Sequence, residues 1–369
     1  MSDSHIQTVI IGSGVVGLAI ARHFARKGHD VLVLEAESSG HHHISARNSQ
    51  VIHGGMLYAP GSLKAQLCVQ GRKQLYDFCE TRHVSHARCE KLIIATDAEQ
   101  LAGLHAISER GRQNGIDELA ILTAAEAMAL EPNLHCHDAV LSPSSGIVDA
   151  PAFMDALLGE ARASGAMFAY HARLDAVRVT DKAFALAIDD ADKTRMTCTH
   201  LINAAGLGVW DVARQTAGYD PAQVPPQNYV KAGYFSLMSG KSPFERLIYP
   251  VPGAPSPNAH AIRDTAGQIR FGPSTAYLDP PRIDYHHDLP LGDLETAIRT
   301  FWPALPEGAL QPDTCGIRPR ITPLGAPLAN FMIHGPRDHS VPGLVHLFGL
   351  ESPGLTSSLA IANHVWELL

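Results

Sequence analysis

The sequence predicts an α/β fold, and two regions carry this prediction. The first 35 residues pass from a β-branched apolar run (8–11) through a helical pattern (18–27) to a second apolar run (31–34). This order is typical of a βαβ unit, in which a helix connects two parallel strands. From about residue 221 the chain becomes rich in proline and contains short apolar runs typical of an antiparallel sheet. We therefore expect a parallel α/β domain and a second, α+β domain.

A glycine-rich turn joins the first strand to the helix. Gly12, Gly14 and Gly17 form the pattern G-x-G-x-x-G, and Glu35 ends the second strand. Such a turn lets backbone N–H groups approach a pyrophosphate, and the helix N-terminus adds positive potential. A carboxylate at the end of the second strand accepts hydrogen bonds from a ribose and repels a 2′-phosphate. The unit is thus Rossmann-like and predicts NAD or FAD as the ligand. The expected contacts are Gly12, Ser13, Gly14, Val15, Val16, Gly17, Glu35 and Ala36.

The composition argues against several other classes of function. The chain has 369 residues, 45% of them hydrophobic, and its formal net charge of −8 disfavours a nucleic-acid partner. Its six cysteines form no C-x-x-C pair, as expected of reduced thiols in a cytoplasmic protein. We expect neither a transmembrane segment nor a signal peptide. The adjacent histidines of the run His41-His42-His43 cannot easily converge on one ion, and no pairing with a nearby cysteine or acid completes a site, so no metal is expected.

Several segments outside the βαβ unit resemble a known family. Residues 48–55 are Asn-Ser-Gln-Val-Ile-His-Gly-Gly, and residues 58–65 are Tyr-Ala-Pro-Gly-Ser-Leu-Lys-Ala. Both resemble flavoenzymes related to D-amino-acid oxidase, and most of all the L-2-hydroxyglutarate dehydrogenase/oxidase branch. Near the C-terminus, residues 315–320 and 351–358 resemble segments of the same family. The resemblance implies that the cofactor is FAD.

The resemblance also implies two interleaved domains and further contacts to the cofactor. A discontinuous FAD-binding domain is expected to comprise residues 1–84, 142–220 and 315–369. An antiparallel-sheet substrate domain is expected to comprise residues 85–141 and 221–314. Near Leu174 the backbone is expected to contact adenine. The other implied contacts are Arg47, Asn48, Ser49, Ala204, Ala205, Gly206, Pro353, Gly354, Leu355 and Thr356.

The chemistry that the resemblance implies is oxidation of a C–H bond beside a hydroxyl or amine, with hydride transfer to flavin N5. The reaction needs an anion clamp and, for an alcohol, a base. Arg318 is the predicted clamp, since a guanidinium binds a carboxylate through two parallel hydrogen bonds. His53 is the predicted base, since an imidazole accepts a proton near neutral pH. Tyr249, Tyr234 and Lys231 are predicted to contact the substrate.

Alternatives remain open for these residues and for the reaction. The alternative for Arg318 is a structural role, and that for His53 is packing against the flavin or a hydrogen bond to it. The alternative for Tyr249, Tyr234 and Lys231 is packing within the sheet or, for the lysine, a solvated charge. The predicted substrate is a small 2-hydroxy acid resembling L-2-hydroxyglutarate. A glycine- or sarcosine-type amine or amino-acid oxidase, a glycerol-3-phosphate enzyme and a non-catalytic FAD-binding protein are the alternatives. Residues 272–274 and 318–320 depart from the hydroxyglutarate branch where the substrate is selected. Two further questions stay open. One is whether the protein contacts the inner face of the membrane, and the other is whether its electron acceptor is oxygen, a quinone or a carrier.

Overall fold

A computed structural model describes residues 4–238, 241–252 and 259–369. Within these ranges there are nine α-helices, and twenty strands form three sheets. The helices are α1 (Val15–Arg26), α2 (Leu63–Arg82), α3 (Leu101–Gln113), α4 (Ala124–Leu130), α5 (Ala150–Ala163), α6 (Val209–Arg214), α7 (Leu294–Phe301), α8 (Pro336–His339) and α9 (Gly354–Leu368). The strands are β1 (Ser4–Ile11), β2 (Val31–Leu34), β3 (Val51–Ile52), β4 (His86–Ala87), β5 (Lys91–Ala95), β6 (Ala120–Thr123), β7 (Asp138–Ser142), β8 (Gly146–Val148), β9 (Met167–Ala169), β10 (Arg173–Val179), β11 (Phe184–Asp189), β12 (Arg195–Asn203), β13 (Thr216–Ala217), β14 (Asn228–Leu237), β15 (Leu247–Pro250), β16 (His260–Arg263), β17 (Ile269–Leu278), β18 (Leu310–Arg320), β19 (Met332–His334) and β20 (Leu344–Phe348).

The first sheet is built around the predicted βαβ unit. β1 lies between β12 and β2 and runs parallel to both, and α1 connects β1 to β2. β20 and β9 extend the parallel part on either side. Alternate residues of β1 face two separate cores: Ile10 packs with Phe24 of α1 and with α2, α5 and α9, whereas Val9 packs with Trp210. A strand that is buried on both faces is typical of a parallel α/β sheet.

The second sheet has the strand order β18-β14-β17-β16-β15-β5-β7-β6. Its neighbouring strands are antiparallel, as predicted, except that β15 and β5 run parallel. α7 covers one face through a core that contains Phe244, Phe271 and Phe301. β5 and β15 therefore meet in this sheet although they are far apart in the sequence.

The strands of the two large sheets alternate along the chain. The first sheet takes strands from residues 4–34, 167–217 and 332–348, and the second from residues 91–142 and 228–320. β3, β8 and β4 form the small third sheet. The domain boundaries themselves stay a prediction. β18 runs across the expected boundary at residue 314 and belongs to the second sheet as far as Arg320.

Local sequence signals account for where several helices begin. Asp149 caps α5, since its side chain accepts a hydrogen bond from the N–H of Ala152. Ser62 caps α2 in the same manner through Ala65. α1 begins at Val15, three residues before the predicted start at Leu18, because Gly14 is its N-cap. β18 was not predicted as a strand.

In the part of the chain that the structure describes, no helix has the length and apolar character needed to cross a membrane. All six cysteines are free thiols, and five of them are buried. The cytoplasmic location stays a prediction.

A buried hydrogen bond joins β12 to β20. Nδ2 of Asn203 lies 2.9 Å from Nδ1 of His346. His346 is fully buried, and its ring packs edge-on against that of Tyr219. Burial, and then the neighbouring His339 and His334, lower the pKa of His346 from 6.5 to about 3. The imidazole is therefore neutral in the folded protein.

We expect His346→Phe to make the fold less sensitive to acid. Below pH 6.5 the unfolded chain binds a proton at His346 that the folded protein does not bind, so stability falls with falling pH. The loss is about 1.4 kcal/mol of unfolding free energy per pH unit, or about 2 kcal/mol between pH 6.5 and pH 5. The variant lacks this contribution. Urea unfolding of both proteins at several pH values measures it, and parallel pH dependences would contradict a neutral His346.

Candidate active site

The glycine-rich turn brings backbone segments into direct contact. A Cβ atom at Gly17 would lie 2.0 Å from the carbonyl oxygen of Gly12, and one at Gly12 would lie 2.7 Å from that of Ala204. These contacts require glycine at both positions and fix the N-terminus of α1 beside the end of β12. The first turn of α1 contains no acid, and its N–H groups, such as that of Val16, have no acceptor within the helix. This arrangement suits a phosphate.

Glu35 follows β2 and is held in place by its neighbours. One carboxylate oxygen accepts hydrogen bonds from the N–H (2.7 Å) and the Oγ (2.9 Å) of Ser13. The other oxygen accepts a hydrogen bond from the N–H of Glu37 at 3.0 Å. The oxygen bonded to Glu37 retains a lone pair, so Glu35 can also accept a hydrogen bond from a ligand hydroxyl.

A cavity of about 810 Å³ is lined by residues from both large sheets. It contains most of the predicted site residues: Gly12, Gly14, Val15, Val16, Glu35, Ala36, Arg47, Asn48, Ser49, His53, Leu174, Ala204, Ala205, Gly206, Tyr234, Tyr249, Arg318, Pro353, Gly354, Leu355 and Thr356. Ser13, Gly17 and Lys231 do not line it. Ser13 instead binds Glu35, and Gly17 packs against Gly12.

The structure corrects the placement of Lys231. Its buried ammonium lies 2.8 Å from the carboxylates of both Asp284 and Asp288. Side chains along a strand alternate between its two faces. Ala232 and Tyr234 line the cavity, so Lys231, between Val230 and Ala232 on β14, points to the opposite face. It therefore binds acids of this chain and not the contents of the cavity.

The loop after β2 ties α1 to the cavity. Oγ of Ser45 accepts a hydrogen bond from the N–H of Val15 at 3.0 Å. The Asn48 side chain donates to the carbonyl of Ser45 at 2.6 Å, so it is used within its own loop. The Arg47 guanidinium lies 4.2 Å from the centre of the Tyr285 ring. Asn48 and Arg47 thus shape the wall of the cavity.

His53 follows β3 and is anchored to the segment that begins α9. Its N–H donates to Oγ1 of Thr356 at 3.1 Å, and its Nε2 lies 3.1 Å from Oγ of Ser352. Burial lowers the pKa of His53 well below 6.5, and the positive charges of Lys91 and, less strongly, Arg318 lower it further. The imidazole is therefore neutral and can accept a proton.

Arg318 lies on β18 and faces the cavity. Its side chain forms no hydrogen bond or ion pair with any residue in the described ranges, whereas Arg320 lies 3.4 Å from a carboxylate oxygen of Glu351. Lys64 lies 3.4 Å from the other oxygen of Glu351. The single charge of Glu351 is thus shared between two cations, and Arg318 is available to bind an anion.

Tyr249 lies on β15 between two neighbouring strands. The pairing of Ile248 with Ala261 puts Tyr249 beside His260, and the two rings stack with centroids 3.8 Å apart. Nζ of Lys91, on β5, lies 3.9 Å from the centre of the Tyr249 ring. Burial raises the pKa of the Tyr249 hydroxyl, which therefore remains protonated and can donate a hydrogen bond.

Several residues around the cavity were not predicted from the sequence. Tyr58 lines the cavity, and burial raises its pKa well above its usual value. It lies in one of the segments that resemble the family, so that segment contained a signal for it. Ser45 and His260 also line the cavity. No local motif marks His260 or Lys91, because sheet pairing alone brings them to Tyr249.

Sequence comparison relates the chain to a known family and to curated proteins. The family model described as FAD dependent oxidoreductase (DAO) matches residues 7–368. The mitochondrial L-2-hydroxyglutarate dehydrogenase of Arabidopsis thaliana is 36% identical, over 99% of this chain and 83% of the relative. The L-2-hydroxyglutarate dehydrogenase of Salmonella houtenae is 28% identical, over 97% of this chain and 91% of the relative.

Solved structures share the same fold. The dithionite-reduced L-α-glycerophosphate oxidase of Mycoplasma pneumoniae with FAD bound superposes with a TM-score of 0.87 at 21% identity, over 99% of this chain and 95% of that one. The glycine oxidase of Geobacillus kaustophilus gives a TM-score of 0.80 at 19% identity, over 99% of this chain and 94% of that one. The predictions of family, fold class and cofactor are confirmed. Because the family model matches residues 7–368, almost the whole chain, the chain belongs to the DAO family of FAD-dependent oxidoreductases.

Proposed function

We propose that the protein oxidises a small 2-hydroxy acid of the L-2-hydroxyglutarate type to the corresponding 2-oxo acid. The observation that carries this proposal is that the Arg318 guanidinium, which has no partner among the residues that the structure describes, and a neutral imidazole, His53, line the same cavity. An anion clamp and a base are the two groups that oxidation of a hydroxy acid requires. The names of the curated relatives point in the same direction.

The residues around the β1–α1 turn fit the two halves of the cofactor's ADP part. The free N–H groups at the start of α1 suit the pyrophosphate, and Glu35 suits the ribose. The N-terminus of α9 reaches the cavity through Leu355 and Thr356 and adds positive potential there. When bound, FAD supplies the acceptor for the hydride that leaves the substrate carbon.

The side chains of the cavity divide the remaining work. Arg318 orients the substrate by holding its carboxylate through two parallel hydrogen bonds. Tyr249, whose hydroxyl stays protonated, donates a further hydrogen bond, and Tyr234 lines the same wall. His53 accepts the proton of the substrate hydroxyl as the hydride departs from the same carbon atom. Loss of one proton and one hydride leaves the carbonyl of the 2-oxo acid.

Substrate binding strengthens the base. The charge of Arg318 is one of the causes that lower the pKa of His53 in the free cavity. A carboxylate bound to Arg318 neutralises that charge, so it raises the proton affinity of His53 when the hydroxyl is in place. The binding of the acid and the removal of its proton are therefore electrostatically coupled.

The proposed function is tested by anaerobic reduction of the bound flavin, which is monitored as a loss of flavin absorbance. We expect L-2-hydroxyglutarate or a related 2-hydroxy acid to reduce it, and glycine, sarcosine and glycerol 3-phosphate not to do so. Reduction by the amines alone would replace the proposal with amine oxidation. Reduction by no candidate would favour a non-catalytic flavoprotein. Oxygen or a quinone added to the reduced protein then identifies the electron acceptor.

Arg318→Ala should raise KM strongly. Truncating one partner of a desolvated charge pair costs about 2–5 kcal/mol, most of which should appear in kcat/KM. Arg318→Lys retains the charge but not the two parallel hydrogen bonds, so we expect its kcat/KM to lie between those of wild type and Arg318→Ala. Arg270→Ala is the control, because Arg270 pairs with Asp313 and Asp264 and does not line the cavity. Steady-state kinetics that show the same kcat/KM for Arg318→Ala and wild type would remove Arg318 from the site.

His53→Gln should slow flavin reduction by about 10²–10⁴-fold, because it removes the base. The substrate dissociation constant should change much less. Since the pKa of His53 in the free cavity lies well below 6.5, the second-order rate constant for flavin reduction of wild type at low substrate concentration should persist as the pH falls through 6.5. Stopped-flow reduction measures both effects, with His86→Gln as the control outside the cavity. A rate that His53→Gln leaves unaltered would assign His53 a packing role.

A further inference from the structure

Lys91 is a buried cation for which the proposed chemistry has no direct use. Its side chain is fully buried at the start of β5. Its Nζ has no hydrogen-bond partner among the described residues, unlike the buried Lys231, which pairs with two acids. A buried ammonium without an acceptor costs stability. Lys91 does not itself line the cavity, so it does not touch the substrate.

The sheet places Lys91 directly behind the wall of the cavity. The strand order β16-β15-β5 puts His260 on one side of Tyr249 and Lys91 on the other. The stacked ring of His260, at 3.8 Å, occupies one face of the Tyr249 ring. Nζ of Lys91, at 3.9 Å from the ring centre, must therefore lie over the opposite face. The three side chains therefore form a stack. Tyr249 and His260 line the cavity, whereas the Lys91 ammonium lies at one end of the stack and outside the cavity lining.

This stack has two physical consequences. An ammonium over an aromatic face is attracted by the ring quadrupole, which holds the ring in one orientation. The electrostatic potential of the ammonium also reaches the cavity through a wall that excludes water, where it is screened less than in water. Both effects favour an anion that accepts a hydrogen bond from the Tyr249 hydroxyl. The same charge contributes to keeping His53 and His260 neutral.

We propose that Lys91 is a positioning residue for the substrate, which fixes Tyr249 against His260 and raises the affinity of the cavity for a carboxylate. The inference rests on the proposed function, because it assigns the anion to that site. The stability cost of the buried charge is then offset by binding.

The ionisation of Lys91 gives this role a pH signature. Burial lowers the pKa of Lys91 to about 8, and the nearby thiols of Cys68 and Cys89 partly oppose this shift. The groups packed around it titrate elsewhere: burial raises the pKa of Cys68 to about 12 and lowers that of His260 to about 3. The pKa of Cys89 and that of Tyr249 are also raised, and that of His53 is lowered. Carboxylate binding should therefore weaken as the pH rises through about 8, when Lys91 loses its charge.

The test measures binding of glutarate, a dicarboxylate without a hydroxyl group to oxidise, to the FAD-loaded enzyme by calorimetry between pH 6.5 and pH 9.5. We expect the wild-type dissociation constant to rise on the order of tenfold across this range, the effect of one charge at roughly 10 Å in an effective dielectric constant of about 20. At every pH in this range, Lys91→Met should bind glutarate about as weakly as wild type does at pH 9.5. Its melting temperature should equal or exceed that of wild type, since an unpaired buried charge is removed.

Lys231→Met is the matched control. It removes a buried lysine that has two acid partners, so we expect a lower melting temperature and an unchanged pH dependence of glutarate binding. A structural role for Lys91 would instead lower its variant's melting temperature and leave glutarate binding unchanged at each pH.

Each outcome decides the role of Lys91. A dissociation constant of wild type that is flat from pH 6.5 to pH 9.5 overturns the proposal without any variant, as does a Lys91→Met protein that binds as wild type does. Because glutarate is not oxidised, its binding reports on Lys91 whichever compound reduces the flavin. Reduction by amines alone, with a Lys91-dependent affinity for glutarate, would overturn the 2-hydroxy-acid reaction and leave the role of Lys91 in anion binding intact.

Discussion

Backbone contact at the β1–α1 turn is the constraint on which the rest of the site depends. The carbonyl oxygen of Gly12 lies where a side chain of Gly17 would begin, and that of Ala204 lies where one of Gly12 would begin. These contacts aim the N-terminus of α1 into the cavity and bring the end of β12 beside it. Ser45 then accepts a hydrogen bond from Val15, the first residue of α1. The loop that leads to His53 is thus positioned from the same turn, so the proposed cofactor end of the cavity and the end that contains His53 are positioned by one structural element.

The charges around the cavity are distributed unevenly. Lys64 and Arg320 share the single carboxylate of Glu351, so this group keeps one excess positive charge. Arg318 and Lys91 have no acidic partner among the described residues. A cavity with low-dielectric walls and an excess of positive charge concentrates anions. The protein as a whole carries a formal charge of −8, so this local field opposes the net charge of the molecule.

How far the site could be predicted depended on whether its residues are neighbours in the sequence. The βαβ unit, its glycines and Glu35 form one continuous pattern, and short motifs mark His53 and Arg318. The stack on Tyr249 has no such pattern, because it arises from the parallel pairing of β15 with β5. Lys231 was misplaced for a different reason. β14 is buried along nearly its whole length, so polarity does not alternate along it and does not tell which face meets the cavity.

The same charges bear on the choice between a hydroxy acid and an amino acid. An amino acid enters as a zwitterion, and its ammonium group would be repelled by Arg318 and by the charge of Lys91. A 2-hydroxy acid brings only negative charge, and a dicarboxylate brings two such charges. Binding such an anion neutralises a charge that lowers the pKa of His53, whereas a zwitterion brings an opposing positive charge close to the imidazole. In the proposed reaction, the electrostatics of the cavity therefore favour the hydroxy acid twice, in binding and in the proton affinity of His53, the proposed base.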